Sequence, residues 1–321
     1  MHAILRRGAA GLVVLSVGVL MLMTGVSVLA WGDSGLVSWA PLPSAHQRVD
    51  VPPGPTGTAG GRRREVVVTH DWVIPVGRRS ISVPILMYHY IRTPPSILAD
   101  RLGYKLSVSP SDFTIQMDWL AIHGYNPVTL NDLRAYFAGR QALPNKPVVI
   151  TLDDGYADLY QIAFPILAAH NFKAVAYIVT GFVGRPGYVT ASQVLQLSQN
   201  GIEIASHTVN HADLAHTSPP LVTWELVSSK AWLQGLLGHP VVDFAYPSGR
   251  FDAQVIAALQ ASGYQSASTT TPGTYHSEAD RFTWTRVRVG GGESLSDFAH
   301  SLGRVERAVE ITDIDVMPAL G

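Results

Sequence analysis

At 321 residues, 47% of them apolar and 15% charged, the chain can bury a sizeable core and is not a mainly disordered polypeptide. Its 23 Lys and Arg balance 24 Asp and Glu, so no overall field marks it for nucleic acid or a polyanion. Zero cysteines exclude disulfides, a cysteine nucleophile and thiolate zinc sites, which leaves any metal to histidines and carboxylates.

Residues 8–31 carry no charge and follow Arg6 and Arg7, the pattern of an export signal whose N-terminal side stays in the cytoplasm. A helix this long, at about 1.5 Å per residue, spans a hydrocarbon core of ~30 Å, which predicts a retained membrane anchor. Val28-Leu29-Ala30 also offers a signal peptidase a place to cut, which would release a secreted form. The remainder is expected outside the cytoplasm in either case, on the outer face of the cytoplasmic membrane or free. Residues 32–80, dense in Pro and Gly, read as an extended linker. A catalytic domain is expected over 81–305 and a tail over 306–321.

From residue 81 onward short apolar runs alternate with helical patterns. Residues 84–90, 146–154, 173–179, 202–207, 241–247 and 264–269 read as strands buried on both faces. Ser109 caps a predicted helix with Pro110 in its first turn, in which Phe113, Met117 and Leu120 recur at helical spacing until Gly124. Further helices are predicted over 130–138, 159–169, 191–198, 219–237 and 251–262. Six or more such units predict a parallel sheet closed into a barrel, with active residues just past the strand C-termini.

Polar residues gather at those ends. Ile150-Thr151-Leu152-Asp153-Asp154-Gly155 finishes a strand with two carboxylates, and a turn at Gly155 lets both reach one cavity. Asp-Gly is also an ordinary turn pair, so this run alone decides little. His207-Thr208-Val209-Asn210-His211 follows another strand, and its imidazoles, four residues apart, are expected one helical turn from each other. Asp154, His207 and His211 then make a two-His, one-carboxylate set with open positions, suited to Zn²⁺ or to Co²⁺, Fe²⁺, Mn²⁺ or Ni²⁺. Residue 208 is Thr, so the HExxH protease helix is absent. His123, His170, His239 and His300 read as surface or satisfied core residues.

The chain resembles the polysaccharide deacetylase family, carbohydrate esterase family 4. TLDDG (151–155) is similar to that family's TFDDG motif, HTVNH (207–211) to its H-[ST]-x-x-H motif and AYPSG (245–249) to its R-x-P-x-G motif. The resemblance implies a distorted (β/α) barrel, with Asp153 as general base and Asp154, His207 and His211 as metal ligands. It also implies an acetylated polysaccharide as substrate, with a backbone N–H near Tyr246 or Ser248 holding the oxyanion. Ala245 stands where many members carry an Arg that orients the base, and Arg286 or Arg288 is the expected replacement. LMYH (86–89) with the Arg-x-Arg strand resembles the circularly permuted branch acting on exported poly-N-acetylglucosamine, which makes His89 the expected catalytic acid and His276 its competitor. An O-acetyl esterase and a non-catalytic tethered glycan-binding domain are the other readings, and the second sits poorly with an intact set of four site residues.

Overall fold

The computed structural model describes residues 73–74, 76–77 and 80–302, all within the compact unit Val66–Gly321. The expected anchor over 8–31, the tail over 306–321 and most of the linker lie outside the described residues. Among the described residues no helix is long and apolar enough to cross a membrane.

Seven parallel strands form the barrel: β1 (Ile85–Tyr88), β2 (Pro147–Leu152), β3 (Ala174–Ile178), β4 (Ile202–Ser206), β5 (Asp243–Ala245), β6 (Ser266–Pro272) and β7 (Trp284–Arg288). Each pairs with its neighbour in chain order, and β1 closes the ring by pairing with β7 on one side and β2 on the other. Among the described residues, a short helix over Arg101–Leu106 precedes α1 (Pro110–Ile122), α2 (Leu130–Phe137), α3 (Phe164–Ala169), α4 (Ala191–Gln199), α5 (Pro219–Leu237) and α6 (Ala253–Ala261). The predicted strand-helix alternation is therefore observed, and the last strand is the Arg-x-Arg segment.

Caps written in the sequence set several helix starts. The Ser109 hydroxyl accepts the Asp112 N–H at 3.0 Å, and Thr129 and Asp132 form a reciprocal capping box at α2. The helix predicted over 159–169 departs from expectation. Its first part, Leu159–Ala163, is a π turn in which the Phe164 N–H donates to the Leu159 carbonyl. Pro165 supplies the reason, since it has no N–H to give the carbonyl of residue 161 and the ladder must shift ahead of it.

Strand alternation divides the core in two. Ile85, Val149, Val175, Tyr177, Ala205, Ala245 and Trp284 meet in one buried cluster, while Leu86, Val148, Ile150, Ala176, Ile178 and Ile204 belong to another that includes α1 and α4 residues. Side chains two residues on from Val149 and Ala205 keep their parity. Thr151 on β2, Asp153 just after it, and His207 after β4 accordingly lie on the first set's side.

Candidate metal and catalytic site

Asp153 is buried at the C-terminal end of β2, and Arg286 of β7 grips it with two N–H···O bonds of 2.7 and 2.8 Å. The same guanidinium donates to the Thr269 carbonyl at 2.7 Å and the Thr151 hydroxyl at 3.1 Å, so its planar fork is fixed from both sides. Of the two arginines expected to stand in for the one missing at Ala245, Arg286 is therefore the one that holds Asp153. Arg288, two residues further along β7, is exposed at the mouth and does not contact Asp153. Burial alone would raise the Asp153 carboxyl, but Arg286, His89 and His207 bring it below the usual carboxylate range. It is therefore ionised and able to accept a proton at neutral pH.

Asp154 departs from the strand. Its φ of 73°, followed by 76° at Gly155, places two successive residues in the left-handed region, and this turn sends its carboxylate beside that of Asp153. Asp154 Oδ1 lies 3.4 Å from Nε2 of both His207 and His211, yet it is buried without a hydrogen bond. One ligand atom from each of the three side chains falls within 4.8 Å of the others. The His207 Nδ1–H donates to the Ala245 carbonyl at 2.7 Å, which leaves the Nε2 lone pair facing Asp154. An orphaned carboxylate oxygen between two imidazoles with one tautomer already fixed fits a divalent cation, and these three residues would hold it. Burial would raise the Asp154 carboxyl, but His207, His89 and His211 hold it well below its ordinary range.

The expectation of a helical turn between the two histidines is corrected. Residues 207–211 form a loop with left-handed φ at Thr208 (67°) and His211 (56°), conformations costing about 1–3 kcal/mol each. Two neighbours hold it. Thr180 and Gly181 donate to the carbonyls of Thr208 and Val209 at 3.1 and 2.8 Å, and the Glu225 carboxylate accepts from the other side. A Cβ on Gly181 would stand 2.5 Å from the Val209 oxygen, so the close approach requires glycine there.

His89 follows β1 with Nε2 at 3.8 Å from Asp153 Oδ2, and its buried Nδ1 has no hydrogen-bond partner. Burial pushes its pKa down, against the pull of Asp153 and Asp154. His276 is far from this position in function: its Nε2 bonds the Val83 carbonyl at 2.9 Å, ahead of β1 at the opposite end of the barrel. Tyr246 is buried, its hydroxyl donating to the Phe282 carbonyl at 3.0 Å and its N–H to that of Ser268 at 3.2 Å. Both donors of Tyr246 are thus engaged, whereas Ser248 is exposed with φ of 55°.

Two contributors carried no signal in the sequence. Tyr156 follows the Asp-Asp-Gly turn, and its ring lies 4.0 Å from that of Tyr90 and 5.1 Å from that of Tyr188. The guanidinium of Arg92 caps this row 3.3 Å above Tyr90. The stack ties the segment carrying His89 to the segment carrying Asp154. Glu225 is the other, and it comes from α5, the helix that follows the loop.

The sequence and fold are similar to those of known proteins. The family model for polysaccharide deacetylase matches residues 140–267. YxkH of Bacillus subtilis (strain 168) is 28% identical over 88% of this chain and 96% of its own length. The poly-beta-1,6-N-acetyl-D-glucosamine N-deacetylase of Escherichia coli (strain K12) is 35% identical over 33% of this chain, which spans only 18% of that protein. Among solved structures, the Streptococcus pyogenes deacetylase PplD in complex with acetate superposes with a TM-score of 0.64 at 28% identity, over 69% of this chain and 98% of its own.

Proposed function

We propose that the chain is a member of the polysaccharide deacetylase family and a deacetylase hydrolase, and that it removes N-acetyl groups from an exported poly-N-acetylglucosamine or a related glucosamine polymer with the help of a divalent metal. One observation carries the reading: a buried carboxylate held by Arg286 stands beside an Asp154–His207–His211 set whose shared oxygen has no other partner. The polymer is suggested by what the Escherichia coli relative's name says it acts on.

An amide resists hydrolysis because water is a weak nucleophile, the carbonyl a weak electrophile and the amine a poor leaving group. When bound, a divalent ion acidifies water and polarises the acetyl oxygen. Asp153, ionised and oriented by Arg286, takes the proton from the attacking water. A backbone N–H near Ser248 donates to the oxyanion. The proton that Asp153 takes passes to His89, whose Nε2 lies 3.8 Å from Asp153 Oδ2, and His89 delivers it to the departing glucosamine nitrogen. The products are acetate and a free amine. Zinc is the expected ion, and residues 8–31 are assigned the role of carrying the enzyme to the outer face of the membrane.

The test is acetate release from poly-β-1,6-N-acetylglucosamine, chitooligosaccharides, peptidoglycan and acetylated xylan. Fastest release from the first supports the reading. Release from acetylated xylan alone would make the protein an O-acetyl esterase, and release from none would end the enzymatic reading.

A further inference from the structure

His211 reaches the site at the end of a loop, two of whose five residues are left-handed, so something other than strand or helix hydrogen bonding must keep it there. Glu225 does this from α5. Its side chain is only 1% exposed, and Oε2 accepts the N–H groups of Val209 at 2.7 Å and Asn210 at 3.0 Å. Oε1 accepts from the Asn210 side-chain amide at 2.9 Å. Among the described residues no lysine, arginine or histidine forms an ion pair with Glu225. Its charge is met by loop donors alone, all of them between His207 and His211.

A buried carboxylate is costly unless satisfied, and three convergent donors satisfy it only when the loop has this one conformation. The dependence runs both ways. If the loop straightened, Glu225 would lose its partners, and if Glu225 lost its charge, the left-handed residues would lose what holds them against relaxation. Thr180 and Gly181 secure the two carbonyls on the other side, so the loop is pinned at both its donors and its acceptors.

We propose that Glu225 is a positioning residue for the metal ligand His211, presetting the 207–211 loop so that both imidazoles meet Asp154 before an ion arrives. The proposal rests on the reading of Asp154, His207 and His211 as the metal set. It goes beyond that reading by giving a role to a side chain that touches neither metal nor substrate. Its consequence is a site whose affinity depends on α5.

Glu225→Gln keeps the size of the side chain but offers an amide nitrogen where two acceptors are needed. In the full-length protein, zinc affinity read by competition with a chromophoric chelator should fall roughly 10–100-fold, the usual cost of losing a group that orients a ligand. In the metal-free protein, hydrogen exchange at the Val209 and Asn210 amides should accelerate while those of β4 stay protected. Ser229→Ala is the control: one turn along the same helix, it loses buried bonds to Ser206 and to the Glu225 carbonyl, and should lower the melting temperature with zinc affinity unchanged. Asn210→Ala removes one of the three donors, leaves the carboxylate, and should give a smaller loss in the same direction. Native zinc affinity in both Glu225→Gln and Asn210→Ala would overturn the proposal and leave the metal site standing. Parallel losses of affinity in Ser229→Ala would also overturn it, reducing Glu225 to general stability. Failure of the unaltered protein to bind zinc or cobalt would instead sink the metal-site reading and this inference with it.

Discussion

Asp153 and Asp154 are adjacent carboxylates with different surroundings, and the difference underlies the role proposed for each. Arg286 occupies both oxygens of Asp153, while Asp154 keeps one oxygen free between two imidazoles. Asp153→Asn should therefore retain the metal and lower the rate by roughly 10²–10⁴, the worth of a positioned base, as checked by metal analysis and kinetics on one preparation. Loss of metal from this variant, with retention in Asp154→Asn, would reverse the two roles. His89→Ala should keep the metal and lose most of the rate on amides but much less on activated esters, whose leaving groups need no proton. Equal losses on both would make His89 a support for Asp153. The four central residues were legible because each pair lies in a short local motif at a strand end. Arg286 was legible only as one of two candidates, since strand parity puts Arg286 and Arg288 on one face and depth in the barrel decides between them. Glu225 and Tyr156 were not legible, because their partners come from folding rather than from spacing.

At the scale of elements, short apolar runs alternating with helical patterns were enough to foresee the strands and the end of the barrel where chemistry would gather. It was not enough for the loop between the histidines, where a four-residue spacing suggested a helical turn and left-handed backbone achieves the same convergence differently. Side-chain spacing reports the end points of a segment, whereas its path depends on what packs beside it. Gly181 is part of that path. Gly181→Ala would drive a Cβ to 2.5 Å from the Val209 oxygen, so it should destabilise the protein by about 1–3 kcal/mol in denaturant unfolding and weaken metal binding without touching any ligand. Unchanged stability and affinity would mean that the 180–181 segment does not support the site.

Across the whole molecule the two ends of the barrel use charge for different ends. At the opposite end from the site, Arg134 of α2 forms two 2.8 Å bonds with Asp243 of β5, and a cavity of about 520 Å³ lies beside them, lined in part by Glu203. Burial and the neighbouring Asp243 carboxylate push the Glu203 pKa well above the usual carboxyl range. The folded protein thus holds a proton on Glu203 that the unfolded chain releases near the ordinary glutamate pKa of ~4.3. The associated stability is fully present below that value and is lost as pH rises toward the raised folded value. Glu203→Gln should flatten this decline, so the variant should gain on the native protein as pH rises in urea unfolding series. Parallel pH profiles would show that Glu203 ionises freely in the folded state.

Turnover of an acetylated glycan is proposed to depend on an ion held by Asp154, His207 and His211, which makes Asp153 an effective base. The direct measurement is acetate release from poly-N-acetylglucosamine by chelator-stripped protein as zinc is added in known ratio to the chain. Activity should be absent at zero zinc, rise in proportion and level off at one ion per chain, with His211→Ala requiring far more zinc to respond. Full activity in the stripped protein, or the same zinc response in His211→Ala as in the native chain, would contradict it.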